Sequence, residues 1–286
     1  MTDRAHEATD KRLARLERQL QRRYQKAKKE VLRMAESYFA EFEKADDQMR
    51  KKFDAGEITS KQYKEWRKKK MLRGKSLKDL KERVSALMLR TNQEASELIN
   101  REMQTIYTEN YNGTAEHNIA GFDTIDIPSE EAAKRLPHRE MDEKKDTAWN
   151  RYRTEAGVVA AIMAGLLFKE MAEEVSRVAM ENFSSMRRAA VTMVTSAENM
   201  GRADSFAEVQ RIVGDGRRVR KRWHTVGDDR VRHAHRQMDG IDIPLGAAFV
   251  NSAGVIMQPG DMRASPQNVY NCRCWIEIVI RDIGTS

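Results

Sequence analysis

The feature that most restricts the fold is a long stretch of helical periodicity, which contains no glycine or proline between Gly74 and Gly113. Its apolar residues recur at helical spacing and are Leu77, Leu80, Val84, Leu87, Met88, Leu98, Ile99, Met103 and Ile106. Ser76 can cap its start, with Asp79 three residues later, as in a capping box. The pattern predicts one helix from about residue 76 to about residue 111, roughly 54 Å long at about 1.5 Å per residue. A helix of this length favours an extended helical hairpin over a globule.

Two more helices are predicted upstream of this one. Residues 8–53 carry an apolar stripe, clearest from Val31 to Phe42, and the segment DAGEIT at 54–59 interrupts it. A second helix is predicted over 59–73, ending at Gly74. The chain has only 5 Pro and 15 Gly among 286 residues, and 34% of its residues are charged. Charged helix formers with few breakers are typical of a mostly helical protein.

The middle of the chain alternates irregular and helical segments. Residues 113–145 are predicted to be irregular, with one short helix near 129–135. Helices resume near residue 146 and run, with breaks, to about residue 200. Their most apolar part, GVVAAIMAGLLF at 157–168, is shorter than the roughly 20 residues of a membrane span and is therefore predicted to be a buried helix. Residues 204–216, DSFAEVQRIVGDG, are predicted to form a short connector.

The sequence changes character at Trp223, where Gly, Pro, Asp and Asn become frequent. Strands are predicted at Ala247–Val250, Val255–Met257 and Trp275–Ile280. The predicted fold class is therefore mainly α: elongated long-helix hairpins and a helical block, followed by a small α+β C-terminal cap. The predicted organisation has four segments, which are a basic extended helical region at 1–112, an irregular linker at 113–145, a helical block at 146–222 and the cap at 223–286.

The formal net charge of +8 is concentrated at the N-terminus. Residues 1–80 hold 24 Lys and Arg against 14 Asp and Glu, a net charge of +10, so the remaining residues carry a net charge of −2. One interpretation is a solvated helix face laced with salt bridges. The other is a surface that binds double-stranded DNA, with the run Arg67, Lys68, Lys69 and Lys70 as its candidate residues.

The C-terminal cap carries a combination of residues that is more specific than any of its parts. These residues are Trp223, Thr225, Asp228, Arg230, Arg232, His235, Asp239, Gly240, Asn271, Cys272, Arg273 and Cys274. The combination closely resembles the C-terminal module of the phage head morphogenesis, or minor head protein, family (the Mu protein F-like group). In one place the sequence departs from that pattern: many members carry an Arg-Thr-Glu-like run before the cap, where this chain has Val194, Thr195 and Ser196. A role for that arginine cannot be carried over.

The resemblance implies a minor capsid protein of the virion, inside the capsid, that acts in head morphogenesis and in DNA packaging or delivery. Its implied partners are the portal protein, double-stranded DNA and other capsid or scaffold proteins, and it implies no enzymatic activity. The start of the sequence lacks the apolar core and cleavage site of a signal peptide, and no apolar run is long enough to span a membrane. We therefore expect synthesis in the host cytoplasm.

Cys272 and Cys274, the only cysteines, admit several interpretations. On a strand their thiols would share one face with Ile276, Ile278 and Ile280, as packing residues of the core. Alternatively, they could bind a structural zinc ion together with His235, and His224 or His233 would supply the fourth ligand. A disulfide across one residue would be strained. The sequence favours packing and no cofactor, with zinc as the alternative.

The polar residues of the cap also admit two interpretations. Asp228, Arg230, Arg232 and Asp239 could form ion pairs that fix loops in a module with a small core, and Asp239-Gly240 suits a tight turn. Alternatively, the acids and histidines could hold a metal ion that activates water, as in a metal-dependent nuclease acting on phage DNA. That alternative requires the acids and histidines to converge on one open metal position.

Overall fold

The computed structural model describes residues 3–114 and 119–282. Within them the helices are α1 (Arg4–Ala40), α2 (Glu43–Asp54), α3 (Ser60–Met71), α4 (Lys75–Asn112), α5 (Glu130–Arg135), α6 (Glu143–Ala164), α7 (Phe168–Val213), α8 (His233–Arg236) and α9 (Pro266–Val269). The strands are β1 (Arg217–His224), β2 (Asp242–Pro244), β3 (Phe249–Asn251), β4 (Gly254–Ile256) and β5 (Trp275–Asp282). The predicted fold class, mainly α with a small α+β region at the C-terminal end, is confirmed.

The described residues pack into two compact units; three of the four divisions fall within α1, α4 and α7, and the other falls between α5 and α6. The helical unit comprises Gln19–Ser96 and Glu140–Met186. The mixed unit comprises the described residues of Met1–Arg18, Glu97–Arg139 and Arg187–Ser286. The four predicted segments divide the chain by sequence character, whereas these units are divided by packing, and the four-segment organisation stays a prediction.

The helical unit is built on the apolar stripes that the sequence shows. Val31, Phe39, Val84 and Met88 are buried in its core, together with residues of α6 and α7. The predicted single helix over 8–53 is divided, because the chain turns after Ala40 and restarts as α2. The apolar run 157–168 is also broken: α6 ends at Ala164 and α7 starts at Phe168.

The mixed unit contains a three-stranded antiparallel sheet in the order β2-β1-β5 and a hairpin of β3 and β4. In the sheet, Trp223 is opposite Ile276 and Lys221 is opposite Ile278. Trp223 is fully buried, and Phe206 and Val209 of α7 pack in the same core.

One prediction about the entry into this unit was wrong, and two strands were missed. Residues 204–213 are not a connector, because α7 continues to Val213 and buries Phe206 and Val209 on one face. The strands β1 and β2 were not predicted. β1 reads RRVRKRWH, and its buried positions Val219, Lys221 and Trp223 alternate with arginines that hide the apolar pattern. None of the described helices combines the length and the apolar character that crossing a membrane requires.

Candidate functional site

The only group of three or more His, Cys, Asp or Glu side chains placed to hold a metal ion, among the described residues, is His235, Cys272 and Cys274. Their ligand atoms lie within 4.8 Å of one another. Nδ1 of His235 is 3.5 Å from Sγ of Cys272 and 3.5 Å from Sγ of Cys274. All three residues are buried, and both cysteines are free thiols. The histidine comes from α8 and the cysteines from the segment that leads into β5.

Helix α7 fixes the backbone of the cysteine segment. Oγ1 of Thr195 donates to the carbonyl of Cys272 at 2.5 Å, and Nδ2 of Asn199 donates to the carbonyl of Cys274 at 3.2 Å. Oδ1 of Asn199 then accepts from the backbone N–H of Ile276 at 2.9 Å. Thr195 lies in the run where the sequence departs from the pattern of the resembled family, and it contacts the segment directly. Two side chains on one face of a buried helix therefore position both sulfur atoms.

The backbone bends locally at Asn271. Its φ of 61° makes it the only non-glycine residue with a positive φ among the described residues, and asparagine tolerates this region better than most residues. Its backbone N–H donates to Oγ1 of Thr192 at 3.0 Å. The bend lets Cys272 and Cys274 approach the histidine from one side.

A pair of asparagines orients His235. Oδ1 of Asn268 lies 3.3 Å from Nε2 of His235 and also accepts from Nδ2 of Asn251 at 3.0 Å. An amide oxygen only accepts, so Nε2 carries the proton and Nδ1 presents a lone pair to the two sulfurs. The indole of Trp223 contacts the imidazole edge-on, with ring centroids 5.2 Å apart. The ring is thus fixed in both orientation and tautomer.

The two thiols titrate unequally. A hydrogen bond from Cys274 holds the pKa of Cys272 well below its ordinary value, although burial acts in the opposite direction. The pKa of Cys274 is raised, because Cys272 holds its proton and burial disfavours its charge. The pair therefore favours one thiolate, next to the imidazole.

A small cavity adjoins the three side chains. Its volume is about 10 Å³, on the scale of one water molecule. The described residues lining it are Val226, Arg230, Val231, Arg232, His235, Asn271, Cys272, Arg273 and Cys274, and none of them is a carboxylate. Neither predicted fourth ligand joins the group: Nε2 of His224 bonds Oε2 of Glu277 at 2.9 Å, and His233 is exposed.

The remaining residues of the cap motif hold its loops together. Asp228 accepts from Nη2 of Arg273 at 2.7 and 2.8 Å and from Arg230 at 3.2 Å, which lowers the pKa of Asp228, Arg273 being the largest cause. Arg232 donates to the carbonyl of Tyr270. The acids and arginines of the motif thus meet one another or the backbone.

The Asp239-Gly240 pair forms a tight turn. Oδ1 of Asp239 accepts from the backbone N–H of Thr225 at 2.7 Å. Gly240 has a φ of +77°, and its N–H donates to the carbonyl of Trp223 at 2.8 Å. The turn closes around the end of β1.

The basic run of α3, in the helical unit, contains two kinds of residue. Arg67 is buried, donates to both oxygens of Asp46 at 2.8 and 2.6 Å, and donates to the carbonyl of Leu166 at 2.7 Å. The prediction that Arg67 belongs to a DNA-binding surface therefore needs correction, because its guanidinium is hydrogen-bonded inside the helical unit. Lys69 and Lys70 are exposed, and Lys68, which is half-buried, pairs with Glu65 at 3.1 Å. DNA binding by these lysines stays a prediction.

Two further polar features were missed from the sequence. Lys221 is 2% exposed, and its ammonium lies 5.7 Å from the Phe249 ring centre; burial lowers its pKa to about 8, with Asp261 acting in the opposite direction. The start of α1 places Asp3 and His6 against Arg202 and Glu198 of α7. A lysine at an inward position of a strand signals the first feature, whereas no local signal exists for contacts between residues almost 200 positions apart.

Residues 152–277 match the family described as Phage Mu protein F like protein, which confirms the resemblance seen in the sequence. The match begins within α6 and therefore includes the helical residues that precede the cap. Comparison with curated proteins and with solved structures found no match.

Proposed function

We propose that this chain is a minor head protein of a phage, located inside the capsid and acting in head morphogenesis and in DNA packaging or delivery. Its partners in this proposal are the portal protein, the packaged double-stranded DNA and other capsid or scaffold proteins. The observation that carries the proposal is the family match over 152–277, which covers part of α6, all of α7 and most of the cap.

The arrangement of the cap supports a structural role. A hydrolytic metal site needs an open metal position together with a general base. Asp228 is occupied by Arg273 and Arg230, and His224 pairs with Glu277. The acids and histidines considered for a nuclease therefore do not converge, because Asp228 and His224 are in separate ion pairs and His235 lies with the two cysteines. We propose that the protein is not an enzyme.

The distribution of charge supports contact with DNA. Residues 1–80 carry a net charge of +10, and several basic side chains of that region, including Lys69 and Lys70, are exposed. Neutralising phosphates releases condensed counterions, so such contacts bind DNA of any sequence and weaken as salt rises. A protein of the capsid interior needs no sequence-specific readout.

The test is the composition of purified virions of the phage that encodes the chain. We expect quantitative mass spectrometry to find the chain in wild-type heads and to find it strongly depleted from heads assembled without the portal protein, with the major capsid protein as the internal standard. Protease treatment of intact heads should leave it undigested, because it lies inside. Its absence from wild-type heads, or retention independent of the portal, would contradict the proposal or its portal component, respectively.

A nuclease assay separates the structural proposal from its alternative. Purified full-length chain incubated with supercoiled plasmid and Mg²⁺, Mn²⁺ or Zn²⁺ should leave the plasmid intact. Nicking that requires a metal and disappears in His235→Gln would replace the structural proposal with the nuclease.

A further inference from the structure

Two distances in the His235, Cys272 and Cys274 group, those from each sulfur to Nδ1, are close to the corresponding edges of a metal coordination tetrahedron. With Zn–S bonds of about 2.3 Å and a Zn–N bond of about 2.0–2.1 Å, tetrahedral angles separate a ligand sulfur and a ligand nitrogen by roughly 3.6 Å. Both observed Sγ···Nδ1 distances are 3.5 Å. The two sulfurs and the nitrogen therefore already have the sulfur-to-nitrogen separations that one bound ion needs.

The imidazole is already in the form that binds a metal. Asn268 fixes the proton on Nε2, because its amide oxygen accepts hydrogen bonds from Nε2 of His235 and from Nδ2 of Asn251. The lone pair of Nδ1 is left facing the two sulfurs. A metal-binding histidine commonly donates its other ring N–H to an oxygen of this kind, which sets the orientation of the ring.

We propose that His235, Cys272 and Cys274 bind one Zn²⁺ ion, with a water molecule from the adjoining cavity as the fourth ligand. Two thiolates and an imidazole are the ligand types that select zinc over harder cations such as Mg²⁺ or Ca²⁺. Two thiolates also neutralise the dication, so the buried site gains no net charge. The cavity of about 10 Å³ beside the three side chains accommodates one water.

The role of this ion is structural. It joins α8 to the segment before β5. In the sequence, His235 is 37 residues from Cys272 and 39 residues from Cys274. Water bound to zinc becomes catalytic when a neighbouring carboxylate or similar base accepts its proton. Among the described residues, no carboxylate lines the cavity, and three arginines do. The metal therefore stabilises the cap, and its presence does not support the nuclease alternative.

The test measures metal content and ligand type in the purified full-length chain. After dialysis against metal-free buffer, elemental analysis should find about one zinc per chain. Replacement by Co²⁺ should give the intense sulfur-to-cobalt charge-transfer absorption of thiolate ligands and the visible bands of a tetrahedral site. A wild-type chain without stoichiometric zinc and without these bands would overturn the proposal, whatever the variants do.

Variants then assign the ligands. Cys272→Ser, Cys274→Ser and His235→Gln should each lower the zinc content from about one to below about 0.1 per chain. His233→Gln and His224→Gln are matched controls, because these histidines lie near the ligands in sequence but outside the group, and both should retain full zinc. Loss of zinc in a control equal to that in His235→Gln would contradict the ligand assignment. Stoichiometric copper or iron in place of zinc would contradict the identity of the metal.

Discussion

His6 and Glu198 lie 192 positions apart in the sequence, and Nδ1 of His6 is 2.7 Å from Oε1 of Glu198. His6 also stacks on Trp275, with ring centroids 5.1 Å apart. The first turn of α1 is therefore part of the same core surface as α7 and β5. The N-terminal residues complete the unit that contains the cap, and the following tests concern that unit first.

The His6 contact should make stability depend on pH. Burial lowers the pKa of His6, but the charge and hydrogen bond of Glu198 outweigh burial and raise it above 6.5; Asp10 raises it and Arg202 lowers it. A raised pKa means that protonated His6 stabilises the fold fully below the unfolded value of 6.5. This contribution disappears as pH rises through the folded pKa.

We expect His6→Gln to lower the free energy of unfolding more at about pH 6 than at about pH 9, because only protonated His6 forms a charge pair with Glu198. Urea unfolding at both pH values measures this difference, and the loss of packing on Trp275 cancels in it because it does not depend on pH. His233→Gln, at an exposed histidine, should show no such dependence. A penalty for His6→Gln that is the same at both pH values would contradict a charged His6.

Arg202 should be far more important to stability than its position on a long helix indicates. It is buried, donates to Asp3 at 2.7 and 2.9 Å and to the carbonyl of Ile276 at 3.2 Å, and lies 5.1 Å from the Trp275 ring centre. Arg202→Met leaves the carboxylate of Asp3 without its partner, so we expect a loss of about 3–5 kcal/mol in chemical unfolding.

Arg211→Met is the matched control for this substitution. Arg211 is on the same helix, is 72% exposed and pairs only with Glu208 among the described residues. An exposed pair contributes about 0–1 kcal/mol, so the change should be small. Similar losses in the two variants would show that burial does not determine the contribution of Arg202.

Two helices, α4 and α5, could be predicted closely because their signal is local. α4 spans Lys75–Asn112 against a predicted 76–111, and α5 spans Glu130–Arg135 against a predicted 129–135. β1 could not be predicted in this way: five of its eight residues are Arg or Lys. Its stability comes from pairing with β2 and β5 and from acids on those strands, such as Asp242, which bonds Arg220 at 2.7 Å. Those partners are distant in sequence.

The candidate site, too, could be predicted from the sequence only in part. The motif in the cap pointed to His235, Cys272 and Cys274 together, and the structure brings these three into one group. By spacing, His224 and His233 were equally good candidates for the fourth ligand. In the structure, His224 bonds Glu277 on the neighbouring strand, and His233 is exposed to solvent. The asparagines that position the group could not be identified, because their role depends on contacts between elements and not on a local pattern.

Gly260 should tolerate no side chain. Its φ is +75°, and a Cβ there would lie 2.6 Å from the backbone nitrogen of Ser196 and 2.7 Å from its Cα on α7. Gly260→Ala therefore combines backbone strain with a clash against a helix backbone that cannot move away cheaply. We expect a loss of about 3 kcal/mol in the free energy of unfolding.

Gly240→Ala separates the two effects. Gly240 has nearly the same φ, +77°, but apart from its chain neighbours no atom of the described residues lies within 4 Å of a Cβ built on it. Only the strain of a left-handed alanine remains, which costs about 1 kcal/mol. Equal losses in the two variants would mean that α7 and the loop at Gly260 separate easily, contrary to the close approach in the structure.

The lysines of α3 give a test of DNA binding. Replacing Lys68, Lys69 and Lys70 by Gln removes three positive charges and should weaken binding to double-stranded DNA of any sequence. The slope of log K against log salt should fall in magnitude by up to about 2.7, at about 0.9 for each phosphate that the variant no longer neutralises. Fluorescence anisotropy with two unrelated duplexes over a salt series measures both quantities.

The control variant removes the same number of positive charges at other exposed positions of the chain. Lys134, Lys144 and Lys145 are exposed and lie outside the basic N-terminal quarter, so their replacement by Gln should leave the slope unchanged. If both triple variants weaken binding equally, only net charge matters and α3 provides no specific DNA contact. Arg67 is left intact in both variants, because it is buried and paired with Asp46.

The last prediction concerns Asn268, which is not itself a ligand of the proposed zinc ion. Its oxygen lies 3.3 Å from Nε2 of His235, so it acts by keeping the lone pair of Nδ1 directed at Cys272 and Cys274. Asn268→Ala should weaken zinc affinity by about 10–100-fold, as losses of such supporting hydrogen bonds do. Competition with a chromogenic chelator measures this affinity.

Asn268→Asp distinguishes positioning from packing. Aspartate retains an oxygen acceptor for Nε2 of His235 and should restore zinc affinity to within about threefold of wild type, since a carboxylate is itself a common partner of ligating histidines. Asn251 loses the same acceptor in the alanine variant and regains it in the aspartate variant, so its hydrogen bond changes in parallel. If Asn268→Ala binds zinc as tightly as wild type, the orientation of His235 is set by Trp223 packing instead, because that edge-on contact is the other restraint on the ring.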